Sequence, residues 1–357
     1  MRFLSKSFIR SAVIAAAAFV MTAGCISTKH ESSTARLLKT ENADQAALMA
    51  EVNRFARVDS LRAKMDLKFE DNSFAEFGSK EVYRRADGEV VVQRPAKILL
   101  KVQIPVIKTD VAQMTSNGET FRVAVLQDGG TGKYKKFLKG TNNADYSNLT
   151  KKVNSANLEN GKVIKESVNA FANLRPQHFT DAMLVRPIDL GNVYTQSTIF
   201  QIEDESTGEK KSPLRSVMRG YYLLDEYVKL PDGRLKIARR FWFDRVVSIR
   251  LARQQIFDAH DEIESDIIYG KEGRLTATED YPNLPLQVTV TRPKEKYSMT
   301  LTYQTPEAVT IGTKFPDEAF VLQNSWNLEE VDLDKKMHEA GFETPPANSK
   351  TGVTRFH

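Results

Sequence analysis

The run HDEIESD, His260 to Asp266, is the part of the chain best equipped to hold a cation or move a proton. On a strand, His260, Glu262, Glu264 and Asp266 would share one face, as ligands of a divalent metal do. The opposite row, Ile263, Ser265, Ile267 and Tyr269, is the more apolar. The acidic row therefore reads as the solvated face of a half-buried strand, with no metal site expected. A second run, GGTGKY from Gly129 to Tyr134, has the look of a phosphate loop. Gln127 stands where its first glycine belongs and Tyr134 replaces its hydroxyl residue, so a flexible hairpin turn is the better reading. The five histidines, His30, His178, His260, His338 and His357, lack metal-helix spacing, and no nucleophile elbow is visible. No catalytic residue, metal or cofactor is predicted.

A basic cluster runs through Lys236, Arg239, Arg240, Arg245, Arg250 and Arg253. Such a patch could meet anionic headgroups, but paired with neighbouring acids it reads as an outer sheet face. Inside it, Phe241 and Phe243 share a side and read as core. The net charge of +5 is too mild to argue for nucleic acid.

The one cysteine carries a different chemistry. Residues 1–10 hold Arg2, Lys6 and Arg10 and no acid, and residues 11–23, SAVIAAAAFVMTA, hold no charge. A basic head, a short apolar stretch and small residues describe a secretory leader, too short for a comfortable membrane span. Ala23-Gly24 then meets Cys25, and the arrangement resembles the bacterial lipobox. The position three before the cysteine, commonly Leu, is Thr22. The resemblance implies that residues 1–24 are removed and that Cys25 becomes the lipidated first residue. Two or more acyl chains give stable anchoring, at about 0.8 kcal/mol per buried methylene. A lone cysteine leaves no disulfide to build.

Residues 25–42 read as this cysteine and a polar tether, and residues 43–58 as an amphipathic helix through Leu48, Val52 and Phe55, with Asn42 as its cap. The period then changes to two. Leu61, Ala63, Met65, Leu67 and Phe69 alternate with charged residues, and so do the rows Ile98 to Ile104, Phe121 to Val125, Leu286 to Val290 and Tyr297 to Tyr303. Strands with one polar face indicate an antiparallel sheet. Asp87-Gly88, Asn117-Gly118, Asp232-Gly233 and the run from Arg292 to Glu295 read as hairpin turns, giving on the order of ten strands in a meander. A helix is predicted from Pro176, and a short one between Leu328 and Ala340. With 41% hydrophobic residues and few helices, the sheet must cover its own apolar face by closing or curling.

Gly88 to Val125, with its Arg94-Pro95 step and its turn from Ser116 to Gly118, resembles the localisation-of-lipoprotein proteins LolA and LolB. The run Arg234 to Asp258 is similar to the central meander of that fold, and AFVL after Phe315-Pro316 to its last strand. The resemblance implies a mainly β (α+β) fold: a curved antiparallel sheet forming an unclosed barrel, with a helical lid over an apolar cavity. The half-barrel domain would cover residues 43–325, and residues 326–357 would be a partly loose extension. It also implies lipid or lipoprotein acyl chains as partners, held for envelope transport or outer-membrane insertion. The lipid anchor matches the receptor type, and Ile26, where an Asp would retain the protein at the inner membrane, points to the outer membrane facing the periplasm.

The cavity lining expected on this basis is Leu61, Met65, Leu67, Leu100, Val102, Phe121, Val123, Met299 and Leu301; each could equally be closed core. The competing reading is a non-enzymatic structural or regulatory module that docks an envelope protein through a sheet edge or the lid.

Overall fold

Alternation of apolar and polar side chains governs most of the folded chain. The computed structural model describes residues 35–71, 81–82, 86–105, 107–127, 135–142, 144, 146, 176–205, 216–270, 272–276, 281 and 283–341. Cys25 with its leader, and Gly129 to Tyr134, lie outside the described residues.

The elements are helix α1 (Gln45–Ala56), strands β1 (Ser60–Asp71), β2 (Ala86–Gln93), β3 (Lys97–Gln103), β4 (Asp110–Ser116), β5 (Thr120–Val125) and β6 (Lys136–Thr141), then helix α2 (Pro176–Met183). Strands β7 (Val193–Asp204), β8 (Ser216–Lys229), β9 (Leu235–Asp244), β10 (Arg250–Phe257), β11 (Ile263–Tyr269), β12 (Gln287–Arg292) and β13 (Tyr297–Tyr303) follow. Strand β14 (Glu329–Asp332) and helix α3 (Leu333–Glu339) come last. Among the described residues no helix is long and apolar enough to cross a membrane.

The chain divides into two units, Met1–Leu37 with Ile202–Met218, and Leu38–Gln201 with Arg219–His357. In the smaller, Arg36 and Leu37 pair in parallel with Val217 and Met218, and the Arg36 guanidinium meets Glu205 at 3.0 Å. In the larger, strands pair antiparallel in the order β8-β9-β10-β11-β12-β13-β1-β2-β3-β4-β5-β6. Strand β14 adds to β6 in parallel, so the sheet is mixed. It is curved and does not close into a barrel.

One face of this sheet is the core. Leu61, Ala63, Met65 and Leu67 of β1 are buried, as are Tyr297, Met299, Leu301 and Tyr303 of β13. Leu48, Val52 and Phe55 of α1 and Phe179 and Ala182 of α2 join the same cluster. Helix α2 touches β12 on one side and β3 and β4 on the other. Those strands flank β1 from opposite directions, so the sheet must curl around the helix to reach it.

Several expectations are corrected. Helix α1 is capped by Asp44, whose Oδ1 accepts from Ala47 N–H at 2.8 Å, and Asn42 instead accepts from Arg245. Asp87-Gly88 lies inside β2 and is not a turn. A Cβ on Gly88 would lie 2.6 Å from Leu67 Cδ1, so the glycine serves close approach of β2 to a β1 side chain. Asn117-Gly118 and Asp232-Gly233 do turn, with Gly118 at φ +100° and Gly233 at φ +84°. The AFVL run is no strand: Asp317–Phe320 forms a 3-10 turn that buries Phe320. The short helix expected between Leu328 and Ala340 is present as α3, preceded by Glu329 to Asp332, which extend along β6.

Candidate functional site

The amphipathic stripe of α1 and the apolar side of α2 lie against the same sheet face, and a cleft remains where their C-terminal ends approach it. It is lined by Phe55 and Val58 at the end of α1, and by Ala182, Met183 and Val185 at the end of α2. Leu61, Tyr269, Val288 and Tyr303 come from the sheet, and Leu275, Leu284 and Pro285 from the β11–β12 connection. The free space amounts to about 20 Å³ for the centre of a water-sized sphere, room for roughly one water molecule.

Two arginines fix the helices over this cleft. Arg94, just past β2, donates through Nη2 to the carbonyl oxygens of Ala56 at 3.1 Å and Val185 at 2.7 Å, and through Nη1 to that of Leu184 at 3.4 Å. Ala56 ends α1, and Leu184 and Val185 directly follow the last residue of α2, so the guanidinium sits at the negative end of each helix dipole. One guanidinium therefore ties both helix ends to the sheet. Burial pulls the Arg94 pKa down, with Asp59 and Asp181 opposing that shift; Asp59 lies 3.4 Å from Arg94 Nε.

Arg239 of β9 holds the next two residues. Its Nη1 donates to Arg186 O at 2.8 Å and its Nη2 to Pro187 O at 3.0 Å. Its Nε is ion-paired with Glu226 of β8, and both side chains are almost wholly buried. Glu226 Oε1 also accepts from Asn192 Nδ2 at 2.6 Å and lies 2.9 Å from the Tyr194 hydroxyl. Burial alone would push the Glu226 carboxyl up, but Arg239 and these hydrogen bonds hold it below its usual value. The Tyr194 phenol moves up through its own burial and the Glu226 charge. The Arg239 guanidinium also lies 4.9 Å from the Phe241 ring centroid. Asn53 of α1 accepts from Ile188 N–H at 2.9 Å, closing the path from helix to segment to sheet.

Tyr269 is the unusual polar group of the cleft. Its ring lies 5.5 Å from that of Phe55, and its hydroxyl is buried with no hydrogen-bond partner among the described residues. Burial pushes its pKa well up, with the Asp181 charge in the same direction and Arg239 opposing. It stays protonated and remains a donor.

Of the nine residues expected to line a cavity, Leu61 lines this cleft. Met65, Leu67, Leu100, Phe121, Val123, Met299 and Leu301 are buried in the core cluster, and Val102 is half-buried against it. The three acids of the candidate metal-ligand row are divided among cations: Glu262 with Lys294 at 2.6 Å, Glu264 with Arg292 at 3.4 Å, and Asp266 with Arg253. No cluster of metal-ligating side chains occurs among the described residues. The basic run, read as one outer face, divides between two. Arg240 forks onto Asp225 at 2.6 and 2.9 Å, and Arg253 lies over Trp242 at 5.0 Å, both on the outer side. Arg239 and Arg245 are instead buried, Arg245 donating to Glu41 O and Asn42 Oδ1. Phe241 and Phe243 are core, as expected.

Sequence reasoning passed over Glu226 and Arg239 as a pair. The signal was present: Glu226 continues the buried row Tyr222, Leu224, and Arg239 continues the row of Phe241. Charges on two adjacent apolar faces mark a buried ion pair.

The fold and cleft together define a lidded, unclosed β-sheet protein. No family model and no curated protein matches the sequence. Among solved structures the chain is similar to a LolA superfamily protein from Nitrosomonas europaea, at 10% identity and a TM-score of 0.37, covering 78% of this chain and 99% of that one. A DUF1329 family protein from Desulfovibrio piger matches at 11% identity and a TM-score of 0.35, covering 78% and 96%. A domain named as a candidate outer membrane lipoprotein-sorting protein from Vibrio parahaemolyticus matches at 10% identity and a TM-score of 0.36, covering 77% and 95%. At such identities and TM-scores, function has to be read from this chain's own residues.

Proposed function

We propose that this chain is a lipid-anchored protein of a bacterial envelope, moored through Cys25 to the outer membrane and facing the periplasm. Its lidded sheet binds lipid or lipoprotein acyl chains and passes them on without covalent chemistry. The observation that carries this reading is the attachment of the lid. Both helix ends over the apolar sheet face are tied by the single Arg94 guanidinium, at Ala56, Leu184 and Val185. Water can take the place of the guanidinium at these carbonyls, so opening costs chiefly the exposure of the apolar side chains the helices lay on the sheet, Leu48, Val52 and Phe55 from α1 and Phe179 and Ala182 from α2. In the closed state the cleft has room for about one water, so an acyl chain enters only as the helices lift.

The test is to recover the full-length protein from its own envelope membranes, extract it with organic solvent and analyse the extract by mass spectrometry. Stoichiometric lipid is expected, together with uptake of a fluorescent fatty-acyl probe by delipidated protein. Recovery without lipid and without probe uptake would overturn the proposal.

The small volume of the closed cleft favours a second reading, in which the covered sheet is a plain core and the protein docks an envelope partner. Crosslinking in intact envelopes separates the two, since that reading requires one abundant protein adduct in place of lipid.

A further inference from the structure

We infer that the cleft between α1, α2 and strands β11 to β13 is a carbonyl-recognition subsite, in which the Tyr269 hydroxyl donates to the uncharged ester or amide carbonyl at the root of an acyl chain. The inference rests on the acyl-binding reading above and gives it a ligand class. Phe55, Val58, Leu275, Leu284 and Val288 make the walls apolar, while Tyr269 brings a buried hydroxyl without a partner among the described residues. A buried donor left unmade costs about 1–3 kcal/mol, so it marks a place where an acceptor belongs. A phenol kept protonated by burial and by the Asp181 charge needs an acceptor; its hydroxyl is closed off in this structure, so the acceptor reaches it as the helices lift and the cleft that Tyr269 lines widens.

The acceptor is a neutral one. A carboxylate would have to shed its water in an apolar cleft, at a cost one hydrogen bond does not offset. It would also meet the Asp181 charge, which acts on the same phenol more strongly than the opposing charge of Arg239. An ester or amide carbonyl accepts the bond without bringing a charge. The subsite thus selects acyl chains still attached to glycerol or to an amine over free fatty-acid anions, with the chain running from the cleft beneath the lid.

The test uses the full-length chain and a competition assay. Methyl laurate, laurate and tridecane each compete for one fluorescent apolar probe. The ester is expected to displace the probe about 3- to 10-fold more effectively than the hydrocarbon of similar length, and more effectively than laurate. Tyr269→Phe is expected to bring ester and hydrocarbon level while leaving the hydrocarbon unchanged. A second reading is taken on the wild-type protein alone. The carbonyl stretch of carbon-13-labelled methyl laurate should lie at lower frequency when bound than in hydrocarbon solvent. Equal displacement by ester and hydrocarbon, a preference that survives in Tyr269→Phe, or an unshifted stretch each overturns the subsite while leaving acyl binding standing. Failure of all three compounds to displace the probe overturns both.

Discussion

Arg94 and Arg239 hold four consecutive carbonyl oxygens of one segment, Leu184 and Val185 falling to the first and Arg186 and Pro187 to the second. The two side chains differ in their surroundings. Arg94 is partly exposed and pairs with an exposed Asp59, whereas Arg239 is buried against Glu226. Arg94 alone also reaches α1, through Ala56. The exit of the lid is therefore fixed at one end by a bond set that water can replace and at the other by a buried ion pair that it cannot. Opening is expected to pivot about residues 186–187, with α2 leaving the sheet first.

Replacing Arg94 by Ala removes three bonds to carbonyls at the end of α1 and just past the end of α2. A loss of about 2–4 kcal/mol in unfolding free energy is expected, with faster amide hydrogen exchange concentrated in α2 and the last turn of α1. Probe uptake should also be faster than in the wild type. Unchanged exchange in both helices would show that the lid is held by packing instead.

The Arg239 and Glu226 pair should behave as a unit. Removing one partner, as in Glu226→Leu or Arg239→Met, leaves the other charge buried and is expected to cost about 3–5 kcal/mol. The double variant Glu226→Leu with Arg239→Met should recover much of that loss, because no isolated charge remains. Urea denaturation of the two single variants and the double one completes the cycle. Additive losses would mean that the pair is not coupled.

Acid should weaken the same network. Glu226 is held below its ordinary range in the folded protein, by Arg239 and its hydrogen bonds acting against burial. Its contribution is therefore full above the unfolded-state pKa of about 4.3 and is lost as pH falls through the lowered folded value. Asp258 adds a separate acid slope. Desolvation acts to raise it, but Lys294 and the N–H groups of His260 and Glu262 draw it down to about 2. The urea midpoint should be flat near neutrality and fall in acid. Glu226→Gln should flatten part of that fall and leave the Asp258 part in place. A variant with the full wild-type acid slope would exclude Glu226 as its source.

Much of the sheet was legible because burial imposes period two on a strand. The row Tyr297 to Tyr303 of β13 pairs with β1 from Met65 onward, Leu67 opposite Leu301 and Phe69 opposite Met299. Where long-range contacts decide, the pattern was silent. The parallel addition of β14 to β6 joins residues nearly two hundred positions apart, as in Glu330 opposite Phe137, and no local signal marks such a pairing. The Asp44 cap was overlooked for Asn42, which is drawn away by Arg245. The cleft itself was the least legible part. An apolar side chain on the inner face looks the same whether it meets another side chain or a void, which is why Leu61 lines the cleft and Met65 lies in packed core. Arg94 was visible as a strand-ending step, but its hold on three carbonyls comes from helices whose positions only the tertiary fold defines.

Gly88 supplies a last test of how tightly β1 and β2 meet. The residue sits inside a strand, where glycine is ordinarily unfavourable, and a Cβ there would approach Leu67 Cδ1 to 2.6 Å and Cγ to 2.9 Å. Leu67 is buried, with little room to turn aside. Gly88→Ala is therefore expected to destabilise by about 1–3 kcal/mol through overpacking, despite the better strand propensity of alanine. Leu67→Ala alone should also destabilise, by about 2–4 kcal/mol for the lost burial. Combined, the two changes relieve each other's fault, since the added methyl enters space the leucine has vacated, and the double variant should be more stable than the sum of the single losses predicts. Strict additivity, measured by urea denaturation, would mean that Leu67 moves away without cost and that the glycine is there for another reason.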